Sequence, residues 1–146
     1  MITNDVQYRN TKSWLTRFET EAAELDVRFA VAERTRLQQL QIDAARSQAD
    51  DLRIELSDYE ELRSGTTRTF EASSLRGLAD GLVKARIARG WTQRRLADEL
   101  GIAEQQVQRY ESTGYSAASL ARLADIAEAL GVTVTETITL NEPNAA

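Results

Sequence analysis

Trp91-Thr92-Gln93-Arg94-Arg95-Leu96-Ala97-Asp98-Glu99-Leu100-Gly101-Ile102-Ala103-Glu104-Gln105-Gln106-Val107-Gln108-Arg109-Tyr110-Glu111 is the stretch on which the reading of the chain turns. Thr92 is a good N-cap for a helix running to Leu100, because its hydroxyl can accept from an amide of the first turn. Leu96 and Leu100 share one face of that helix, with small Ala97 beside them. Gly101 stands where a left-handed residue should end it, a conformation cheap only for glycine. After a three-residue turn a second helix begins near Glu104 and turns Val107 and Tyr110 inward. Ala97 lets the two helices approach closely, and Ile102 plugs the corner.

The breakers organise the rest. All seven glycines lie at or after Gly65, and the single proline is Pro143. Residues 1–64 therefore hold no helix breaker and are rich in Glu, Arg, Gln, Ala and Leu, the material of long helices. Tyr8, Thr11, Leu15, Phe18, Ala22, Leu25, Phe29 and Ala32 follow steps of three and four, and so do Ala45, Ala49, Leu52, Leu56 and Tyr59. Such a repeat marks a coiled-coil seam. Leu37, Leu40 and Ala44 keep the spacing one residue out of phase, which predicts a turn within 26–36 and a helical hairpin over 3–64. The competing form is one continuous helix of about 60 residues, roughly 90 Å long. The stripes alone do not say whether they pack within one chain or between chains.

Beyond Gly65, Thr66-Thr67-Arg68-Thr69-Phe70 is β-branched and aromatic enough to predict a short strand. Residues 75–130 read as short helices punctuated by glycine. Val132-Thr133-Val134-Thr135-Glu136-Thr137-Ile138-Thr139-Leu140 alternates with period two and predicts a second strand. Its expected partner is 66–70, its own symmetry mate, or another protein by strand addition. The expected fold is mainly α: a helical hairpin or coiled-coil arm over 1–64, then a compact four- to five-helix domain over 65–140 with flanking strands at 66–70 and 132–140. Residues 141–146 read as a flexible tail.

Composition narrows the chemistry. The chain has no Cys and no His, which removes thiol nucleophiles, thiolate zinc sites, the Ser-His-Asp triad and most transition-metal sites. Carboxylate pairs such as Asp50-Asp51 and Glu60-Glu61 sit in a polar helix with no sign of a concave site. A non-enzymatic protein without metal or cofactor is expected. The first 30 residues carry charges throughout and lack the apolar run of a signal peptide. No window reaches the length of a membrane span, so a cytoplasmic, nucleoid-associated protein with no membrane partner is expected.

Two helices joined at Gly101 in this way form a helix-turn-helix. The stretch resembles the phage-repressor (Cro-like, XRE) helix-turn-helix family, with the small residue, glycine and aliphatic of its motif at Ala97, Gly101 and Val107. Arg86-Ile87-Ala88-Arg89-Gly90-Trp91-Thr92-Gln93 resembles the family's first helix and junction. Leu120-Ala121-Arg122-Leu123-Ala124-Asp125-Ile126-Ala127-Glu128-Ala129-Leu130-Gly131-Val132 resembles its closing helix. The resemblance covers about 75–132 and leaves residues 1–64 aside, although helical arms recur on bacterial regulators and antitoxins. One departure stands at Ala103, where the family usually carries Ser or Thr; the missing cap should cost about 1 kcal/mol.

The resemblance implies a sequence-specific transcriptional regulator, a homodimeric repressor whose helix from Glu104 enters the major groove of double-stranded DNA. Glu104, Gln105, Gln106 and Arg109 would then read bases. Gln suits adenine N6 and N7, Arg suits guanine O6 and N7, and Glu can accept from cytosine N4. Gln93, Arg94 and Arg95 would meet phosphates. Arg86 and Glu111 are expected to form a structural salt bridge. An antitoxin with a cognate toxin protein, or a protein-interaction adaptor on the same fold, are the alternatives.

The formal charge of −5 does not contradict this. Residues 1–64 carry 9 basic and 13 acidic groups, residues 76–109 carry 7 and 4, and residues 110–146 carry 1 and 5. The middle segment is the basic one. Its surplus is small, so one domain alone should bind weakly, and a dimer reading a palindromic operator compensates.

Overall fold

The computed structural model describes residues 1–140, whose regular secondary structure is all helical. The helices are α1 (Asp5–Arg28), α2 (Arg36–Ser64), α3 (Leu75–Ala88), α4 (Gln93–Leu100), α5 (Glu104–Ser112) and α6 (Leu120–Ala129), with a 3-10 turn at Val31–Glu33. The flexible tail expected at 141–146 lies outside the described residues.

α1 and α2 form an antiparallel hairpin, since partners on α2 fall in number as α1 advances: Asp5 with Arg63, Glu19 with Arg53, Asp26 with Arg46. Local chemistry sets the bend. Thr35 caps α2 by accepting from the Gln38 amide, and the Gln38 side chain returns a bond to the Thr35 amide, a complete capping box. Arg34 holds the outgoing turn by donating to the Phe29 and Asp26 carbonyls. The hairpin seam buries Ala22, Ile42, Ala45, Ala49 and Leu56. Helix α2 ends on Gly65 at φ 68°, where a Cβ would stand 2.9 Å from the Ala88 carbonyl oxygen.

The remaining four helices enclose one core containing Leu82, Val83, Ile87, Leu96, Ala97, Val107, Ile126 and Leu130. The base of the hairpin belongs to it too. Leu56 and Tyr59 of α2 pack there, and so does Ile2, which is only 3% exposed. The hairpin tip at residues 29–35 therefore points away from the four-helix unit, and its open end is built into it.

The two expected strands are not formed. Among the described residues there is no β-strand, and neither 66–70 nor 132–140 makes a ladder. Residues 66–74 are a linker on which Thr67 and Phe70 are partly covered. The second segment is committed at its start: the Val132 amide donates to the Ala127 carbonyl (2.8 Å) and closes α6, while Val132 packs on the core. From residue 133 the chain leaves the surface, and Ile138 is 97% exposed. Period-two alternation describes how a strand would present its faces, but a strand exists only where a second one accepts its hydrogen bonds.

Three substitutions test this packing. Ile2→Ala should lower unfolding free energy by about 2–4 kcal/mol in urea melts, a core-sized loss from a residue at the edge of the sequence. Gly65→Ala should destabilise more than Gly101→Ala, because both force a left-handed alanine but only Gly65 also meets a backbone oxygen.

Candidate nucleic-acid interface

α4 and α5 meet across the turn Gly101–Ala103. Thr92 caps α4, accepting from the Arg95 amide at 3.0 Å. Gly101 takes φ 65° and ψ 33°, and the next amide, Ile102, donates back to the Ala97 carbonyl at 3.0 Å. This 6→1 bond is the Schellman closure that glycine makes cheap. Ala97 is buried beneath the crossing, with Leu96 and Val107. Ala103 caps α5 with no side-chain bond.

The angle between α4 and α5 is held from behind by a buried polar cluster. Arg86 and Glu111 form a bidentate pair, Nε to Oε1 at 2.6 Å and Nη2 to Oε2 at 2.7 Å, with Arg86 only 2% exposed. Arg86 also donates to the carbonyls of Trp91 and Thr3, both at 2.7 Å. Gln93 completes the carboxylate's shell, donating from Nε2 to Glu111 Oε2 at 2.7 Å. Its own oxygen accepts from Asn4 at 3.3 Å. The cluster thus ties α3, α4 and α5 to the segment entering α1.

These contacts bear on Gln93. Its amide is turned into the domain and is buried, so the side chain is committed to the interior rather than held out toward a phosphate. Sequence reasoning also missed Thr3 and Asn4, whose partners are more than eighty positions away.

Arg94 and Arg95 are exposed on the outer face of α4. Arg95 lies 3.3 Å from Glu99 one turn on and over the Trp91 ring. Arg94 makes no ion pair among the described residues. Arg89, near them in sequence, is structural: it reaches the Leu130 carbonyl at the end of α6.

On α5, Gln105, Gln106 and Arg109 are exposed and Glu104 is half-covered. Gln106 donates to the Tyr110 hydroxyl at 2.8 Å, and Gln108 donates to Glu104 at 3.3 Å. Tyr110 is accordingly not turned fully inward: its ring stacks on buried Tyr115, and its hydroxyl meets Gln106 at the surface. Gln108 was not singled out by sequence reasoning, although its i+4 spacing from Glu104 was the available signal. The side chains of Gln105 and Arg109 have no partner among the described residues.

This arrangement matches a known family. Residues 82–136 match the model of a helix-turn-helix family. The match covers well under half of the chain and coincides with the phage-repressor-type resemblance of 75–132. No curated protein and no solved structure matches the chain. A helix-turn-helix of this type is a DNA-binding regulatory domain, and α5 holds the position of its second helix. Among the described residues no helix is long and apolar enough to cross a membrane.

Tyr115 adds a pH signature. It sits at φ 59° with its hydroxyl buried and without a hydrogen-bond partner among the described residues. Burial, then the Glu111 carboxylate, pushes its phenol well above the ordinary value of 10. The folded protein thus resists an ionisation that the unfolded chain undergoes freely. Stability from this group is complete below pH 10 and is lost as the pH rises above it. Tyr115→Phe should be close to neutral at pH 7 and should reduce the loss of stability between pH 9 and 11, read by chemical melts at each pH. Glu111→Ala, which strands Arg86 in the core, should cost about 3–5 kcal/mol in the same assay.

Proposed function

We propose that the chain is a sequence-specific transcriptional repressor that binds a palindromic operator as a homodimer. The observation that carries the reading is the state of α5: it is anchored from behind through Glu111 while Gln105, Gln106 and Arg109 stand exposed in front. Rigid backing with free polar side chains is what direct readout requires, since the energy of base contacts is not then spent on ordering the helix.

In this reading Gln105 and Arg109 are the principal base readers. Gln106 can use its oxygen while its amide nitrogen rests on Tyr110. Glu104, held by Gln108, discriminates rather than attracts: a carboxylate disfavours phosphate and accepts only where a cytosine amino group is offered. Arg94 and Arg95 contact the backbone, and Gln93 acts by positioning α4 on Glu111. One subunit brings few free cations to DNA, which is why the reading requires two, with recognition helices about 34 Å apart.

Selection of bound sequences from a random double-stranded pool at stated salt tests the proposal. The expected outcome is a palindrome with half-sites one helical turn apart. Gln105→Ala with Gln106→Ala should abolish selectivity, about 1–3 kcal/mol per lost contact, with helical content unchanged. Arg94→Ala should weaken all sequences alike and reduce the slope of log affinity against log salt by about one. Recovery of the same operator by the double Gln variant would remove α5 from the reading role.

A further inference from the structure

The face offered to DNA is walled on one flank. Glu104, Gln105, Gln108, Arg109 and Ser112 of α5 line a cleft of about 1350 Å³ whose other side is the start of α1, Asn4 to Gln7. Thr92 and Gln93, at the entry to α4, line the same cleft. The hairpin's side of it offers little to an anion. Its cations are already paired, Arg63 with Asp5 at 3.0 Å and the Met1 amino group with Glu55 at 3.5 Å. Asp80 of α3 adds a further carboxylate. Gln93, at the start of α4, is bonded to Asn4. An α-helix with its side chains is about 10–12 Å across and the major groove is about 12 Å wide, so a seated helix has a sugar–phosphate strand along each flank. On the flank of α5 that faces residues 4–7, that strand meets the hairpin.

We infer that the seated hairpin is an autoinhibitory arm: it bars duplex DNA from α5, and binding requires the hairpin to leave its seat. The inference rests on the DNA-binding reading above and adds its regulation. The chain crosses between hairpin and four-helix unit once, through residues 65–74, where Gly65 is left-handed and residues 71–74 are exposed and outside any helix. Leaving the seat takes Ile2, Leu56 and Tyr59 off the shared core. It also takes the Thr3 carbonyl from Arg86 and the Asn4 amide from Gln93. Thr3 and Asn4 are only half-buried, so water replaces both. The bonds from Arg86 and Gln93 to Glu111 involve no residue of the hairpin, so the cluster that orients α5 survives. The apparent affinity of the whole chain is then the intrinsic affinity reduced by the fraction of hairpins lifted.

Locking and loosening the seat test the arm. The chain has no cysteine, so one introduced pair can be bridged selectively. Glu61 of α2 and Lys84 of α3 line a separate cavity of about 450 Å³ that includes no residue of α4 or α5. Glu61→Cys with Lys84→Cys, joined by a short bis-maleimide carrying a reducible disulfide, therefore ties the hairpin down without touching the reading face. Binding of the full chain to a mixed-sequence duplex at low salt should fall by roughly tenfold or more on bridging and return when the bridge is reduced. Ile2→Ala loosens the seat from the other direction. It should bind the same duplex roughly fivefold or more tightly than wild type although its fold is less stable, a gain that a merely structural role would not produce. Equal affinity of bridged and reduced forms, or an Ile2→Ala variant no tighter than wild type, would overturn the arm's role and leave the DNA-binding reading standing. A chain that binds no duplex in any of these forms overturns both.

Discussion

A carboxylate with no water around it governs this molecule. Glu111 is taken out of solvent on a helix whose other face must stay wet, and it is tolerable there only because Arg86 meets it with two parallel bonds and Gln93 adds a third. Such a cluster has one good geometry. Fixing it fixes where α3, α4 and α5 stand relative to one another, and hence the direction in which Gln105 and Arg109 are presented. The apolar contacts beneath it, Leu96, Ala97 and Val107, supply most of the stabilisation, but they would accept a range of helix angles. The polar cluster is what narrows the range.

The hairpin is bound into this constraint. Arg86 has more donors than one carboxylate can use, and it places one of the remainder on the Thr3 carbonyl, while Gln93 takes a donor from Asn4. Asn4 also caps α1 by accepting from the Gln7 amide. A single residue thus starts the hairpin and finishes the cluster. An open cleft of about 1350 Å³ separates this first turn of α1 from Gln105, Gln108 and Arg109 of α5. The face proposed to read bases is therefore bordered by the arm rather than standing alone.

How much of this was legible depended on distance along the chain. The cap at Thr92, the left-handed Gly101 and the small Ala97 were readable because each obeys rules spanning four or five residues. The hairpin was half readable: the stripes at Tyr8–Ala32 and Ala45–Tyr59 announced helices, and the phase slip at Leu37 announced the bend. Strand pairing at 132–140 was misread because alternation is a property of one segment and a ladder a property of two. The role of Gln93 was missed for the same reason. Nothing near it in sequence reveals that Asn4 and Glu111 will take up its amide.

The insertion of Ile2 into the four-helix core has a consequence for folding. Bonds from Thr3 to Arg86 and from Asn4 to Gln93 close loops of more than eighty residues, and such closures come late because their entropy must be met before they return anything. The hairpin closes from its tip through shorter loops, Asp26 to Arg46 before Glu19 to Arg53, and can form while the rest of the chain is still unstructured. It then waits with Ile2 and Thr3 uncovered until α3 to α6 collapse around them. The last event is the docking of the earliest-formed piece, so the root of the hairpin and the core of the four-helix unit are completed together.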